Sequence, residues 1–459
     1  MTERRAIRTD GPVGETAEDT TVRTSAEDEA VRFLSDLIHI DTSNRGSGDA
    51  CERPAAEYVA ERLAEVGIEA TILESAAGRA NVVARIDGTD PSRPALLAHG
   101  HLDVVPARAD DWSVHPFSGE VRDDVIWGRG AVDMKNMDAM LLAVVRAWAR
   151  AGRRPARDIV LAFIADEEAT MEYGSIWLAA EHAELFEGCT EAISENGGWR
   201  FHAAPGKRVY PVAAGERGTQ WIRLEARGRA GHGSKPNDEN AVARLAAAIT
   251  RIDAYDWPLR VSPTIRAALE HLADLAGTQL DPDDPALSPA LLREKLGPYA
   301  ALVETAMLNS ANPTMLSAGY KVNVIPEIAV GYVDGRIAPG GEEEFRATMD
   351  ALVGPDVTWE CELRDSSVQA PVGAPVFTAM RDALLAEDPG GHVVPYSLAG
   401  GTDNKHFARL GINGYGFVPL GLPPGYDFMA MFHGVDERVP VEALHFGVRV
   451  LDRFLSTVQ

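Results

Sequence analysis

Three short apolar segments of this chain end in side chains that bind metals or move protons, and this pattern limits the fold more than any other feature. The segments "PALLAHG", "DIVLAFIA" and "TEAIS" have the length of strands and little polar alternation, as strands buried on both faces do. They are followed by His101 and Asp103, by Glu167 and Glu168, and by Glu195. Because sites of open α/β sheets form at the carboxyl ends of strands, we expect these side chains to share one site.

Helical segments separate the strands. "EDEAVRFLSDLIHI", "RPAAEYVAERLAEVG" and "DMKNMDAMLLAVVRAWARAG" place apolar residues at three- and four-residue steps, the spacing of amphipathic helices. The alternation predicts an α/β fold: a mixed-sheet catalytic domain with helices on both faces. A chain of 459 residues exceeds the roughly 250–300 residues that one core supports, so we expect a second domain.

The second domain is predicted where the pattern changes. Residues 212–365 order as β-α-β-β-α-β, with "YKVNVIP" and "EIAVGYVDGRI" as adjacent strands, and contain a helical or loop-rich elaboration at 255–311. This order predicts a smaller α+β lid inserted into the catalytic domain, which comprises residues 27–211 and 366–459. Residues 1–26 are expected to form a flexible arm.

Composition excludes some partners. Lys and Arg number 44 against 69 acidic residues, a net charge of −25 that repels nucleic acid and anionic membrane surfaces. No apolar run approaches the roughly 20 residues of a membrane-spanning helix. Cys51, Cys189 and Cys361 are few and widely spaced, which favours free thiols and a cytoplasmic location.

Each candidate site residue also has a purely structural reading. His101 and Asp103, two positions apart on a strand, point to the same side, as a metal ligand and its orienting carboxylate would. A lone histidine there could equally form an ordinary hydrogen bond. Asp133 precedes a helix and could be its N-cap rather than a ligand. The adjacent Glu167 and Glu168 could form a solvated face.

Together these residues indicate a metal site. Imidazole and carboxylate donors without cysteine suit Zn²⁺, with Co²⁺ or Mn²⁺ as alternatives. Two divalent ions about 3.5–4 Å apart would neutralise the cluster and activate a water. One carboxylate must stay free to move the proton, and Glu167, beside a presumed ligand at Glu168, is the candidate general base.

The motifs HGHLDVVP, GRGAVDMK, DEE and ENGG resemble those of the co-catalytic di-zinc amidohydrolases and exopeptidases, which include aminoacylases, glutamate carboxypeptidases, carboxypeptidase S and succinyl-diaminopimelate desuccinylases. The resemblance runs from about residue 30 to the C-terminus and implies a zinc-exopeptidase-like fold. It implies that Asp133 bridges two metal ions, with His101 and Glu195 on one and Glu168 and His433 on the other. Asp103 would orient a ligand, and Glu167 would be the base.

The same resemblance assigns substrate contacts. His232, in "RAGHGSKP", would polarise the scissile carbonyl, either within its own chain or across a homodimer formed through the lid; a surface histidine is the alternative. Asn323 and Arg336 would hold the substrate carboxylate, which suits a guanidinium. Gly400 and Gly401 would line the specificity pocket, whereas His406 is expected to be structural.

The predicted function is a metal-dependent hydrolase that cleaves an amide bond next to a free carboxylate, with N-acyl amino acids as the first choice of substrate. Carboxypeptidase or dipeptidase action on short peptides is one alternative, and a non-catalytic metal-binding protein is another. The segment 419–431, "PLGLPPGYDFMAM", offers no cation, so an apolar or neutral acyl group is favoured over an acidic one.

Overall fold

The computed structural model describes residues 17–458 except residues 47 and 49, and describes side chains from residue 26 onward. The predicted flexible arm, residues 1–26, lies outside the described residues as far as residue 16. Its last part begins the first helix. The helices are α1 (Ala17–His39), α2 (Arg53–Ala64), α3 (Lys135–Ala151), α4 (Ser175–Glu181), α5 (Ala241–Asp253), α6 (Pro263–Ala276), α7 (Pro289–Leu296), α8 (Glu342–Val353), α9 (Pro375–Glu387), α10 (Asn404–Phe407) and α11 (Val441–Thr457).

The strands are β1 (Thr71–Ala76), β2 (Arg79–Ile86), β3 (Ala95–His101), β4 (Val121–Arg122), β5 (Val125–Trp127), β6 (Ile159–Ile164), β7 (Cys189–Ser194), β8 (Phe201–Ala204), β9 (Lys207–Glu216), β10 (Gly218–Arg227), β11 (Gly231–His232), β12 (Ser310–Ala318), β13 (Val324–Ile325), β14 (Ile328–Ile337), β15 (Val357–Asp365), β16 (Val368–Gln369), β17 (Gly391–Leu398), β18 (Asn413–Gly416) and β19 (Arg438–Pro440).

The large sheet is mixed, as predicted. Its order is β1-β2-β6-β3-β7-β18-β9-β16, with β8 and β17 also paired to β9. Strands β6, β3, β7 and β18 run parallel, so their carboxyl ends meet at one edge. Leu96 and Ala98 of β3 enter the core on the face that carries α1, α3 and α11, whereas Leu97 enters the core on the other face with Leu178 of α4. Burial on both faces explains the continuous apolar sequence of these strands.

The inserted domain is built on a four-stranded antiparallel sheet of order β12-β14-β10-β15. Helices α5 and α8 supply its core, in which Leu245 and Phe345 pack against Ile222 and Val333. The strand predicted in "YKVNVIP" is confined to Val324–Ile325, which pairs with β11, and the partner of β14 at this edge of the sheet is β12. Strand β12 lies at the edge and is mostly exposed, so it carries no apolar alternation for sequence reasoning to detect.

The helical part of the elaboration at 255–311 packs on the catalytic domain, whereas Trp257 stacks on Phe345 in the core of the inserted domain. Ile265, Leu269 and Leu272 of α6 belong to the same hydrophobic core as Val209 of β9 and Val394 of β17. The inserted domain is therefore reduced to its sheet and two helices, and the elaboration ties the base of this domain to the large sheet.

A small sheet of order β19-β5-β4 joins distant parts of the chain. Arg438 of β19 pairs with Trp127 of β5, which brings the segment after His433 beside the turn that carries Asp133. Of the helices in the described part of the chain, none combines the length and apolarity that crossing a membrane requires.

Candidate metal centre

His101 is the last residue of β3, and the strand register places the ends of β6 and β7 beside it. His101 pairs with Ile164, the last residue of β6. Its imidazole is buried, and Nδ1 lies 2.9 Å from the backbone carbonyl of Asp103. This carbonyl accepts the Nδ1 proton, which leaves Nε2 as the nitrogen available to a metal. Nε2 lies 3.2 Å from Oδ1 of Asp133.

The carboxylate of Asp103 holds the glutamate pair more closely than it holds His101. Its Oδ1 is 3.7 Å from Nδ1 of His101. The Asp103 carboxylate accepts hydrogen bonds from three groups: at Oδ1 from the backbone N–H of Glu167 at 3.1 Å, and at Oδ2 from the backbone N–H of Glu168 at 3.2 Å and the Asn44 amide at 2.9 Å. Asp103 therefore orients His101 through its main chain and fixes the two glutamates through its side chain.

A network of buried polar and charged side chains supports the turn that carries Glu167 and Glu168. Asp166, just before the glutamate pair, has a φ of 70°, a conformation that costs energy for a residue other than glycine. Its Oδ1 accepts hydrogen bonds from Asn44 at 2.9 Å and from Arg79 at 2.8 Å. Arg79 also forms a bidentate salt bridge with Glu52, in which each hydrogen bond is 2.8 Å long. These contacts keep the glutamate pair directed at the site.

Asp133 lies in the turn before α3, and the N-cap interpretation is wrong. Met134 is the N-cap of α3, without a side-chain capping bond. Oε1 of Glu437 accepts the backbone N–H groups of Val132 at 2.7 Å and Asp133 at 3.1 Å. Oε2 of Glu437 pairs with Arg129 at 2.6 Å. This buried clamp leaves the Asp133 carboxylate free to face the histidines.

His433 approaches the centre from the opposite side to His101. Its Nε2 lies 3.2 Å from Oδ2 of Asp133 and 3.0 Å from Oε2 of Glu168. The two oxygens of Asp133 thus face different histidines, Oδ1 toward His101 and Oδ2 toward His433. His433 also has a positive φ of 56°, as functional residues held in place by their surroundings often do.

Glu195 follows β7 and completes the cluster. Its Oε2 accepts a hydrogen bond from the Asn196 side chain at 2.9 Å. Ligand atoms of His101, Glu167 and Glu195 all lie within 4.8 Å of one another. A second group, His101, Asp133 and Glu168, satisfies the same 4.8 Å limit. The structure therefore brings every residue of the sequence-predicted metal and base set into one cluster.

The charges of this cluster act strongly on one another. Burial and the charge of Glu195 raise the pKa of Glu167 well above its usual range, and burial and Asp133 do the same for Glu195. Burial disfavours ionisation of Asp133, but hydrogen bonds from both histidines outweigh it and lower its pKa. Contacts with Asp133 and Glu168 raise the pKa of His433 to about 10.

This donor set fits divalent metal ions. Nitrogen and carboxylate oxygen atoms converge without a thiolate, the donor chemistry of zinc, cobalt or manganese sites. Carboxylates this close repel one another, and dications would neutralise that repulsion. The tautomer fixed by the Nδ1 contact presents Nε2 of His101 to such an ion.

The predicted substrate residues lie partly apart from this cluster. His232 and Asn323 are brought together by the pairing of β11 with β13, where Gly233 N–H donates to the Asn323 carbonyl at 2.9 Å. His232 is exposed, with Nδ1 2.8 Å from the Ser234 hydroxyl. The guanidinium of Arg336, on β14, donates two hydrogen bonds to the Asp334 carboxylate, at 2.7 and 3.0 Å. All three belong to the inserted domain, and none supplies a donor to the metal groups.

Gly401 makes room for a lysine that sequence reasoning missed. A β-carbon at Gly401 would lie 1.9 Å from the ammonium nitrogen of Lys405, so a larger residue there would displace the lysine side chain. A β-carbon at Gly400 would meet only Cγ of Leu398, at 4.0 Å. Lys405 is buried, and its pKa is lowered by burial against the attraction of Glu216. The charges of Asp365 and Glu167 also favour the protonated form of Lys405, whereas Arg336 disfavours it.

Other supporting residues were also missed. Asn44, Arg79 and Glu437 hold the ligand-bearing turns through contacts with residues distant in sequence. One local signal was available for Glu437: it follows His433 within the quoted "MFHGVDERVP" motif. Asn44 and Arg79 stand in segments without a catalytic pattern, so only the folded chain reveals them.

A mixed sheet whose parallel strands end in converging histidines and carboxylates is the arrangement expected of a metal-dependent hydrolase. Comparison with family models gives the particular family. Residues 97–457 match the model described as peptidase family M20/M25/M40, and the chain belongs to this family. The membership confirms the predicted resemblance and the predicted reaction class.

Individual relatives agree with the assignment. The human N-fatty-acyl-amino acid synthase/hydrolase PM20D1 is 28% identical over 388 residues, covering 80% of this chain and 74% of that protein. Aminoacylase-1 from Sus scrofa is 27% identical over 423 residues, covering 88% and 89%. Among solved structures, the M20 metallo-carboxypeptidase Sso-CP2 from Sulfolobus solfataricus superposes with a TM-score of 0.70 at 18% identity, covering 93% of this chain and 98% of that one. This likeness confirms the fold.

Proposed function

We propose that this protein is a two-metal hydrolase that releases amino acids from N-acyl amino acids. The observation that carries the proposal is the bridging geometry of Asp133, whose two oxygens each lie 3.2 Å from a different histidine. The two sequence relatives described above are named an N-fatty-acyl-amino acid synthase/hydrolase and an aminoacylase, and we extend that substrate class to this chain.

We assign Asp133 as the ligand shared by both ions. His101 and Glu195 would complete one site, and Glu168 and His433 the other, with Zn²⁺ the ion that best suits the donors and Co²⁺ or Mn²⁺ as substitutes. When bound, the ions would polarise the scissile carbonyl and make the attacking water more acidic. The short contact of His433 with Glu168, 3.0 Å, supports pairing these two residues on one ion.

Glu167 is the proposed general base. Its backbone is fixed by Asp103, and its Oε2 is 4.0 Å from Nε2 of His101, so it lies at the cluster without the short histidine contact that Glu168 makes. Glu167 would take a proton from the attacking water and give it to the leaving amine. Asp103 holds both its backbone and the ring of His101 during this exchange.

The inserted domain would bind the amino-acid part of the substrate. Arg336 would leave its bidentate contact with Asp334 and bind the substrate carboxylate instead, because a guanidinium binds either carboxylate with the same two hydrogen bonds. Asn323 would add a hydrogen bond, and His232 would polarise the carbonyl. The turn with Gly400 and Gly401, in the catalytic domain, would line the pocket and present Lys405. Closure of the inserted domain would bring His232, Asn323 and Arg336 to these groups and to the metal cluster.

We also propose a homodimer through the inserted domain. Strand β12 is an edge strand, and Met315 and Leu316 on it are 63% and 64% exposed. Exposed apolar edge strands pair readily with a second chain. Such pairing would let His232 of one chain act at the centre of its partner. Cys51, Cys189 and Cys361 all carry free thiols, which supports the proposed cytoplasmic location.

The test is hydrolysis of matched substrates by purified protein. N-acetyl, longer N-acyl and dipeptide derivatives of the same amino acids are compared before chelation, after chelation, and with Zn²⁺, Co²⁺ or Mn²⁺ restored. We expect chelator-sensitive release of the amino acid from blocked substrates. Preference for dipeptides with a free amine would replace the proposal by the dipeptidase alternative, and metal binding without turnover of any substrate would favour the non-catalytic one.

A further inference from the structure

An aromatic cavity of about 260 Å³ lies on the segments that carry Glu195 and His433. Trp199 follows Glu195 along the chain and Phe428 precedes His433, and both line the cavity with Phe201 and Met429. We infer that this cavity binds the acyl group of the substrate and selects apolar alkyl or aryl chains. The inference rests on the proposed function and names its substrate class.

Ring contacts connect the cavity to the segment that carries His433. The rings of Trp199 and Phe428 lie 5.2 Å apart, and Phe428 lies 5.0 Å from Phe432 in an edge-to-face contact. Phe432 is the residue immediately before the ligand His433. Packed aromatic side chains therefore run from the cavity to the residue next to His433.

The polar groups around the cavity are already engaged. Nε2 of His202 lies 3.0 Å from the carbonyl of Leu422, and Nε of Arg200 donates to the Tyr210 hydroxyl at 2.7 Å. The Tyr426 hydroxyl donates to the carbonyl of Arg438. The surface left for a ligand is therefore aromatic and aliphatic.

The charge at the cavity disfavours an acidic acyl group. Asp427 lines the cavity and is exposed. Arg200, the cation of the lining, also contacts Asp388 at 3.6 Å and stacks on the ring of Phe446, so it is directed away from the ligand. A succinyl or similar carboxylate would meet Asp427 without a free cation among the lining residues that the structure describes.

Size and direction agree with this occupant. An apolar cavity of about 150 Å³ holds a benzene ring, so a cavity of about 260 Å³ has room for a phenylacetyl group or a medium alkyl chain. In the proposed function the inserted domain holds the substrate carboxylate. The acyl group, on the other side of the scissile bond, then faces the catalytic domain, where this cavity lies.

The test compares acetyl, butanoyl, octanoyl, phenylacetyl and succinyl derivatives of one amino acid. We expect kcat/KM to rise from acetyl to octanoyl by roughly fourfold for each methylene that enters the cavity. The succinyl derivative should be the poorest of the five. Equal kcat/KM for acetyl, octanoyl and phenylacetyl substrates would overturn the inference.

Two variants localise the effect. Phe428→Ala should lower kcat/KM for the octanoyl substrate at least tenfold while changing the acetyl value less than threefold. Met429→Lys, at a position 52% exposed, should weaken octanoyl hydrolysis and improve succinyl hydrolysis without disturbing the core. Phe377→Ala is the matched control, because Phe377 is buried as Phe428 is, 7% against 5% exposed, but lies in α9.

The outcomes separate this inference from the proposed function. Unchanged chain-length selectivity in both cavity variants, with N-acyl substrates still hydrolysed, would overturn the acyl site and leave the proposed reaction intact. If dipeptides alone are hydrolysed, the proposed function itself fails. Equal losses on acetyl and octanoyl substrates in Phe428→Ala and in Phe377→Ala would show that only stability was changed.

Discussion

The carboxylates of the candidate metal centre are assigned different roles because each contacts different residues. Glu168 meets His433 at 3.0 Å, Asp133 faces two histidines, and Asp103 accepts backbone N–H groups. Glu167 keeps only a 4.0 Å contact with His101. The same functional group is therefore assigned as a ligand, a bridge, a support or a base according to its contacts, and these assignments can be tested one residue at a time.

Glu167→Gln separates the base from the ligands. We expect kcat to fall by about 10²–10⁴, because proton transfer to the leaving amine is lost, while the metal content stays at the wild-type level. Turnover is measured with the best N-acyl substrate, and bound metal by elemental analysis. Loss of one ion from the variant would contradict the assignment and make Glu167 a ligand.

Asn44→Ala tests the buried support. Asn44 donates to Asp103 and Asp166 at 2.9 Å each, so its removal loosens the turn that carries the glutamate pair. We expect kcat or metal affinity to fall by about 10–100-fold, as supporting residues of metal ligands show, with KM little changed. Asn413→Ala, at an exposed asparagine, is the control. Equal behaviour of the two variants would show that Asn44 has no positioning role.

Among the secondary-structure elements, the order of the strands in the large sheet places most of the candidate metal ligands. The parallel strands β6, β3 and β7 bring three ligand-bearing turns to one edge, and pairing of β19 with β5 brings the His433 segment to the same place. Away from the site, hydrogen bonds between other elements hold the large sheet and its helices together. Asp388, between α9 and β17, accepts two hydrogen bonds of 2.7 Å from Arg208 of β9 and one of 2.7 Å from the Tyr210 hydroxyl.

The Asp388 link should make stability depend on pH. The hydrogen bonds from Arg208 hold the pKa of Asp388 at about 2, below its usual value near 4. A depressed folded-state pKa means that the link stabilises fully above pH ~4 and is lost as pH falls toward ~2. We expect Asp388→Asn to lower the free energy of unfolding by about 1–2 kcal/mol at pH 7.

Denaturant unfolding at pH 7 and pH 3 measures this effect. The difference between wild type and Asp388→Asn should shrink at pH 3, whereas Asp382→Asn, at an exposed ion pair, should show little difference at either pH. A difference that stays the same from pH 7 to pH 3 would show that the ionised form of Asp388 contributes nothing.

At the scale of the whole molecule, two units share one chain. The inserted sheet has its own core, but α6 of the elaboration packs into the core of the large sheet. The base of the inserted domain is thereby anchored, while its far edge, β12, is exposed. Substrate contacts assigned to the inserted domain must meet a metal cluster on the other unit, so the function depends on how the units come together.

The proposed dimer should depend on the β12 edge. We expect the wild-type protein to be a dimer in solution and Leu316→Lys to be a monomer, because a buried lysine disfavours edge pairing. Light scattering after size-exclusion chromatography measures the mass. Val121→Lys, at an apolar residue 49% exposed on the catalytic domain, should remain a dimer. A wild-type monomer would contradict the proposal.

The sequence by itself determined the elements and chemistry that depend on neighbours along the chain. Apolar runs predicted β3, β6 and β7, and the residues that follow these strands predicted the metal cluster. Such features are readable because periodicity and turn chemistry are local. The edge strand β12 was missed because an exposed strand does not need apolar alternation.

Only the tertiary structure decided the contacts between distant segments. The Asn44 bridge to Asp103 and Asp166 and the Glu437 clamp on Asp133 join parts of the chain far apart in sequence. Packing likewise placed α6 on the large sheet rather than within the inserted domain. Such contacts arise from the shape of the assembled core, which no local pattern in the sequence encodes.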